Sequence, residues 1–338
     1  MTGLVAKDDA RAAAKTHGLR IAVLVPCYNE EAAITQVIRG FREALSGAAI
    51  YVYDNNSTDR TVEVARTGGA IVRCVAQQGK GHVVRRMFRD VEADIYLLVD
   101  GDATYHAPSA RAMIAKLVWE QLDMVVAARV EEAPAAFRRG HRFGNRVLTG
   151  FVRWMFGATF TDILSGYRVF SRRFVKSFPV LSGGFEIETE LTVHALELEL
   201  PVAEIATPYY ARPEGSASKL NTWRDGLRIL AMIAKLYRSE RPLRFFSALG
   251  VAIAAVAIAL SVPILITYFA QGVVPRLPTA LLSTGLMILA FVAIACGLIL
   301  DTVTRGRREM KLLAYLAQAT PNGPTETGRP GQGVRQGS

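Results

Sequence analysis

Through the first two hundred residues, short unbroken apolar runs alternate with stretches in which apolar positions recur every three or four residues. The runs IAVLV (21–25), IYVY (50–53), AIVRCV (70–75), IYLLV (95–99) and MVVAA (124–128) predict strands. Between them, residues 31–45, 60–67, 81–91 and 108–121 carry the spacing of amphipathic helices. Strands apolar along their whole length, rather than at alternate positions, predict a mostly parallel sheet flanked by helices on both faces. The expected fold class is α/β. The sequence shows no internal repeat.

The pattern changes beyond residue 220. Residues 223–246 interleave apolar Leu227, Leu230, Ile233, Ala234 and Leu236 with cations at helical spacing, which predicts an amphipathic helix at the headgroup level of a membrane. Two uncharged stretches follow, about 26 residues at 245–270 and about 24 at 277–300, each longer than the roughly 20 residues that cross a bilayer. Pro263 kinks such a span without excluding it. Lys219, Arg224, Arg228, Lys235, Arg238, Arg241 and Arg244 precede the first stretch, and Arg305, Arg307, Arg308 and Lys311 follow the second. The connecting loop offers only Arg276, so the positive-inside rule predicts a hairpin with both flanks on the cytoplasmic side. The expected organisation is a lead-in at 1–19 without a secretory signal, a cytosolic α/β domain at 20–220, a juxtamembrane helix at 221–244, two spans at 245–301 and a largely disordered cytosolic tail at 302–338. The expected location is the cytoplasmic (inner) membrane, multi-pass.

Composition sharpens this picture. The net charge of +10 calls for an anionic partner, and the excess lies beside the spans, which favours lipid and phosphate over nucleic acid. Cys27, Cys74 and Cys296 form no pair motif, so neither a disulfide framework nor a structural zinc site is expected.

In a parallel sheet, ligands collect beyond the carboxyl ends of the strands. Polar residues stand there three times: Pro26-Cys27-Tyr28-Asn29-Glu30, the run Asp54 to Asp59, and Asp100-Gly101-Asp102. If the strand continues through it, the last of these turns two carboxylates, at i and i+2, to one side. Mg²⁺ or Mn²⁺ accepts two carboxylates when a diphosphate and water complete its shell. Asp54, at a strand terminus, can accept hydrogen bonds from a nucleotide base or ribose. Gln78-Gly79-Lys80-Gly81 opens a helix and offers a cation to phosphate, without the spacing of a P-loop. Isolated His106 reads as a capping or surface residue. The clusters Thr161-Asp162…Arg168 and Phe185-Glu186-Ile187-Glu188 border apolar residues, as the walls of an acceptor cleft would. Tyr210…Arg212…Gly215-Ser216…Ser218-Lys219 combines cations, glycine and hydroxyls, a cradle for phosphate just before the membrane segment.

Together the motifs VPCYNE, DNNSTDRT, GKG, LLVDGDATY, TDILSGYRVF and YARPEGSASK resemble the family 2 glycosyltransferases of GT-A fold, in particular the polyprenyl-phosphate hexose synthases. The resemblance runs from about Ile21 to Lys219. It implies that Pro26, Tyr28, Glu30, Asp54, Asn56 and Lys80 hold a nucleotide-diphosphate sugar, together with Asp100, Gly101 and Asp102. It implies that Asp100 and Asp102 bind the metal, and that Arg129, Arg212, Ser216 and Lys219 meet donor or acceptor phosphate, the acceptor being an undecaprenyl or dolichyl phosphate in the bilayer. Two departures stand out: DNN replaces the commoner DDGS, and ATYH follows the DxD. A processive polysaccharide synthase is the nearest rival, but Gly150 stands where its QxxRW motif before Arg153-Trp154 needs Gln. A catalytically dead membrane scaffold is the rival of another class. A homo-oligomer is compatible with all of these.

Overall fold

The structure, a computed structural model, describes residues 18–131, 139–157, 160–184, 186–213, 222–274 and 276–318. In chain order the elements are β1 (Ile21–Cys27), α1 (Ile34–Ala44), β2 (Ala49–Asp54), α2 (Thr61–Thr67), β3 (Ile71–Cys74), α3 (Lys80–Asp90), β4 (Ile95–Leu98), α4 (Ser109–Trp119) and β5 (Met124–Glu131). There follow α5 (Arg139–Phe156), β6 (Arg168–Ser171), α6 (Arg172–Ser177), α7 (Ile187–Glu197), β7 (Val202–Tyr209), α8 (Thr222–Glu240), α9 (Pro242–Gln271) and α10 (Leu277–Leu316).

The strands form one sheet in the order β3-β2-β1-β4-β6-β5-β7. Only β6 opposes its neighbours, pairing antiparallel to both β4 and β5. The mostly parallel expectation therefore holds, with one reversed strand inserted. Alternate residues of the apolar strands supply two cores, one on each face. Val23, Val25, Val52 and Leu97 face α1, α2 and α4, whereas Ala22, Leu24, Tyr53 and Leu98 face α3, α5, α6 and α7. Coverage fails at the β3 edge, where Ile71 is exposed, and at the end of β5, where Val130 is. Pro26 sits in β1 beyond the last rung shared with β4, at Leu24, so on that side its missing N–H breaks no ladder.

The C-terminal region departs from expectation in two places. The juxtamembrane helix ends at Glu240, and α9 begins with Pro242 in its first turn. In the described part of α8, Met232, Ile233 and Leu236 pack against the domain core rather than facing away from it. Both α9 and α10 are long and apolar enough to cross a membrane. They lie side by side with Gly250, Ala257, Ser283, Ala290 and Gly297 buried between them, the small residues that close helix packing in lipid requires. A tail beginning at 302 is not what the structure shows. The helix α10 continues unbroken through residues 302–316, and Tyr315 joins the core of the α/β domain.

Candidate active site

The loops at the carboxyl ends of β1 and β2 are stitched together. Asn29 and Asn56 take left-handed backbone, with φ of 52° and 64°, which asparagine tolerates better than most residues. Asn29 N–H donates to Ser57 Oγ at 2.8 Å, and Thr58 N–H donates to Asn29 Oδ1 at 2.8 Å. Glu30, itself buried, donates its N–H to Thr61 Oγ1 at 2.9 Å. Asp54 Oδ2 accepts from Ser57 N–H at 3.1 Å. Its buried Oδ1 has no hydrogen-bond partner among the described residues. Tyr28 stays exposed beside them.

The third loop is held by two asparagines. Asn55 takes Gly79 N–H on Oδ1 at 2.7 Å and donates to Val75 and Gln77 carbonyls. Asn56 donates to the Ala76 carbonyl at 2.8 Å and to Gln78 Oε1 at 3.0 Å, so in this structure it braces the loop. At Gly79 the backbone has φ 130°, and a Cβ there would lie 2.1 Å from the Gly183 carbonyl oxygen. Only glycine lets the segment before α7 come that close. The consequence is chemical, because it brings Glu188 of α7 to Lys80. Lys80 is buried and donates to both Asp100, at 2.5 Å, and Glu188. Burial alone would lower the Lys80 ammonium, but the Asp100 and Glu188 carboxylates outweigh it and raise it. The sequence places Lys80 for phosphate; the structure gives it two carboxylate partners.

Asp100 and Asp102 do not extend the strand. β4 stops at Leu98, and Gly101 and Asp102 lie in a turn followed by Ala103 at φ 57°. The i and i+2 geometry of a strand is therefore replaced by a tight turn that gives each carboxylate its own cation. Asp102 pairs with Arg212 at 2.8 Å and accepts from Thr104 Oγ1 at 2.7 Å. Burial, and next the Asp100 charge, raise its carboxyl above the ordinary range against the pull of Arg212 and Thr104. Gly166 backs the turn, since a Cβ there would stand 2.3 Å from Asp100 Oδ2. Its N–H donates to the buried Tyr105 hydroxyl at 2.8 Å. Tyr210 N–H donates to the Thr104 carbonyl at 2.9 Å, and this bond carries the chain after β7 across the site to Arg212. A cavity of about 600 Å³ opens beside the turn between α1 and α4, with Asp100, Tyr105, His106 and Tyr210 on its wall. His106 accepts or donates one hydrogen bond with Ser109 Oγ at 2.9 Å, in the first turn of α4.

Two like charges, one of them buried, fit a divalent cation. Among the described residues no cluster of three or more His, Cys, Asp or Glu could hold a metal. A metal here would complete its shell with phosphate oxygens and water.

Arg129 is held elsewhere. It makes a bidentate pair with Asp162, Nε to Oδ2 at 2.6 Å and Nη2 to Oδ1 at 2.8 Å, and lies over the Tyr209 ring. Arg168 is wholly buried, donating to the Ser165 and Ile163 carbonyls and Thr192, which fixes the loop that carries Gly166. Ser216, Lys219 and Phe185 lie outside the described residues. Sequence reasoning missed Glu188 and Asp162 as partners of Lys80 and Arg129. Both stand in the polar clusters it picked out, and the only further signal was an acid buried in an apolar setting.

Residues 22–177 match the family model described as Glycosyl transferase family 2. Glycosyltransferase AglJ of Haloferax volcanii is 36% identical over 71% of this chain and 80% of its own. The dolichyl-phosphate hexose transferase of the same organism is 27% identical over 65% of this chain and 95% of its own. Among solved structures, glucosyl-3-phosphoglycerate synthase from Mycobacterium tuberculosis, in complex with Mn²⁺, UDP-glucose and phosphoglyceric acid, superposes with a TM-score of 0.55. It is 23% identical and covers 67% of this chain and 83% of that one, a likeness of fold.

Proposed function

The chain belongs to the family 2 glycosyl transferases, with a GT-A fold, and from that premise we propose that it transfers a hexose from a nucleoside-diphosphate sugar to a polyprenyl phosphate, with inversion. The observation that carries the reading is the pairing of two features in one chain. Acidic Asp100 and Asp102 stand at the carboxyl end of the sheet, each matched to a cation, and the same domain is fused to two helices that can cross a membrane. A relative named for transfer to dolichyl phosphate supports the acceptor class.

Asp54, with one buried oxygen still to be satisfied, is suited to a ribose hydroxyl or a base N–H. Asp100 and Asp102 would hold Mg²⁺ or Mn²⁺ against the donor diphosphate. The ion supplies charge neutralisation for the departing nucleoside diphosphate. When Asp102 takes up that role, Arg212 is released from it, and a guanidinium on the chain leading to the membrane segment becomes available for phosphate. Lys80, fixed by Glu188, keeps the charge of Asp100 matched and positioned. A lipid monophosphate is already anionic at neutral pH, so it needs placement in line with the anomeric carbon more than a general base. In this reading α9 and α10 form a hairpin in the cytoplasmic membrane, with the α/β domain and the chain end on the cytosolic side.

The test is direct. Purified protein in lipid nanodiscs is incubated with undecaprenyl phosphate, Mg²⁺ or Mn²⁺ and each of a panel of sugar nucleotides, and the lipid fraction is weighed by mass spectrometry. A polyprenyl-phosphate monohexose supports the reading. A sugar polymer, or no glycolipid with any donor, defeats it.

A further inference from the structure

The helix α10 does not stop where its apolar stretch stops. Gly297 packs against Leu243 and Phe246 near the start of α9, and 18 residues later, about 27 Å along the helix at 1.5 Å per residue, stands Tyr315. Every step of that distance is tied to the α/β domain or its connection. Thr304 Oγ1 donates to the Ser239 carbonyl at 3.3 Å, and Arg307 pairs with Glu240 at 3.3 Å. Arg308 reaches Glu199 at 2.8 Å, and Lys311 pairs with buried Glu197 at 2.6 Å. Last, the Tyr315 hydroxyl donates to Asp123 Oδ2 at 2.7 Å with the Arg173 guanidinium 5.0 Å over its ring. All four cations that follow the apolar stretch are paired with protein carboxylates, Arg305 with Asp301 of its own helix and the other three with acids outside it, a use that the positive-inside pattern alone does not require.

The ties from Arg308, Lys311 and Tyr315 lie at one end of the sheet. Asp123 enters β5 at its amino end, and Glu197 closes α7, whose opposite end places Glu188 on Lys80 in the active site. A second tie lies near the start of α9. Arg241 donates to the Met155 carbonyl at 3.3 Å, and Phe151, Trp154, Tyr237 and Phe245 form a ring cluster with centroid spacings of 5.8 to 6.2 Å. Trp154 is exposed, as aromatic residues at a membrane interface are. A few residues beyond it, Asp162 grips Arg129 in the later half of β5, toward the active-site end.

We propose that residues 302–316 of α10 form a rigid strut that fixes the α/β domain by its far end, so that the carboxyl ends of the strands and the Asp100–Asp102 turn face the bilayer. Lys311 and Tyr315 are positioning residues for transfer to a lipid acceptor. The two ties sit at different distances along the membrane helices, one at the interface and one about 27 Å beyond Gly297, so together they set tilt as well as height. A hinge at either would leave the site free to turn from an acceptor whose phosphate is confined to the headgroup plane. The inference rests on the proposed lipid acceptor for its catalytic consequence, but not for its geometry.

Two measurements on the full chain in nanodiscs test it. For geometry, single cysteines replace Ala211, at the active-site end, or Glu120, at the far end, in a background lacking Cys74 and Cys296. Each is labelled, and energy transfer to a headgroup-labelled lipid is read. Stronger transfer from position 211 is expected; equal or reversed efficiencies overturn the strut whether or not any sugar is transferred. For catalysis, Lys311→Ala with Tyr315→Ala should lower kcat/KM for undecaprenyl phosphate about tenfold, while the KM for the sugar nucleotide and its acceptor-free hydrolysis stay within about twofold. Lys311→Arg should keep most of the lipid transfer. An equal fall in both reactions, or none in lipid transfer, contradicts the positioning role. A chain whose labels report the predicted order but which glycosylates no lipid refutes the proposed acceptor and leaves the strut standing.

Discussion

Two buried aspartates stand at opposite ends of the same sheet and live in different chemistry. Asp123, at the amino end of β5, is fully buried among fixed partners: the Ser171 hydroxyl, the Tyr315 hydroxyl at 2.7 Å and the Arg173 guanidinium at 3.5 Å. Asp102, beyond the carboxyl end of β4, rests on Thr104 and on Arg212, whose side chain is 32% exposed and reaches in from the chain after β7. Beside it, Ala103 holds a left-handed backbone that costs a non-glycine residue on the order of 1 kcal/mol. One carboxylate is enclosed by groups that have nowhere else to go. The other is buried, raised in pKa and paired with a cation whose side chain is partly exposed. Burial of an acid therefore does not by itself mark a site; Asp102 is proposed as one because its burial comes with a partly exposed partner and a strained neighbour.

The comparison can be broken most forcefully by exchanging consequences. Asp102→Asn should cut transfer by about 10³-fold or more with little change in thermal midpoint. Asp123→Ala should do the reverse, costing roughly 3 kcal/mol of stability through its orphaned partners while the folded fraction keeps its acceptor-free hydrolysis of the sugar nucleotide. Kinetics and thermal unfolding of both variants decide this. Next in size, Glu188→Gln should lower kcat on the order of tenfold, because Lys80 loses one of the two groups that orient it. Arg212→Met should tighten Mn²⁺ binding without nucleotide a few-fold, read by electron paramagnetic resonance, and yet slow transfer. A pH-dependent effect sits near the strut. His194 is buried between Phe174 and Phe178, and burial, with the nearby Lys311 charge, lowers it to about 3. A depressed histidine favours the fold above its unfolded value of 6.5, and that stability is lost as pH falls from there toward 3, at roughly 1.4 kcal/mol per unit. His194→Phe should flatten that part of the acid limb relative to wild type; parallel curves would dismiss the assignment.

Much of the molecule is written locally. The runs at 21–25, 50–53, 70–75, 95–99 and 124–128 all became strands; the inner ones are buried on two faces and so apolar at nearly every position, whereas β3, with Arg73, lies at the exposed edge. What stayed hidden depends on contacts distant in sequence. β6 is only Arg168–Ser171 and opens with a charged residue, satisfied by carbonyls of its own loop and by Thr192 of α7. No local pattern announces a strand there. Likewise Asp100, Asp102, Lys80 and Arg212 were legible as candidates for a phosphate site, but their mutual pairing was not, since Gly79 and Gly166 act through close approach to residues about a hundred and about sixty-six positions away, respectively. The strut escaped for a similar reason. Residues 302–316 place a single buried side chain, Tyr315, on a cationic helix that is otherwise exposed or half-buried, too sparse a stripe to separate from a solvated tail.

The central claim is that Asp102 exchanges its cation for a divalent ion that it would share with Asp100 and the donor diphosphate. Titrating Mn²⁺ into the full chain with and without UDP, followed by electron paramagnetic resonance, reads that exchange without turnover. The account predicts weak binding of Mn²⁺ alone, binding at least about tenfold tighter with UDP, and loss of that gain in Asp102→Asn. Mn²⁺ binding that ignores both UDP and the loss of the Asp102 carboxylate would contradict it.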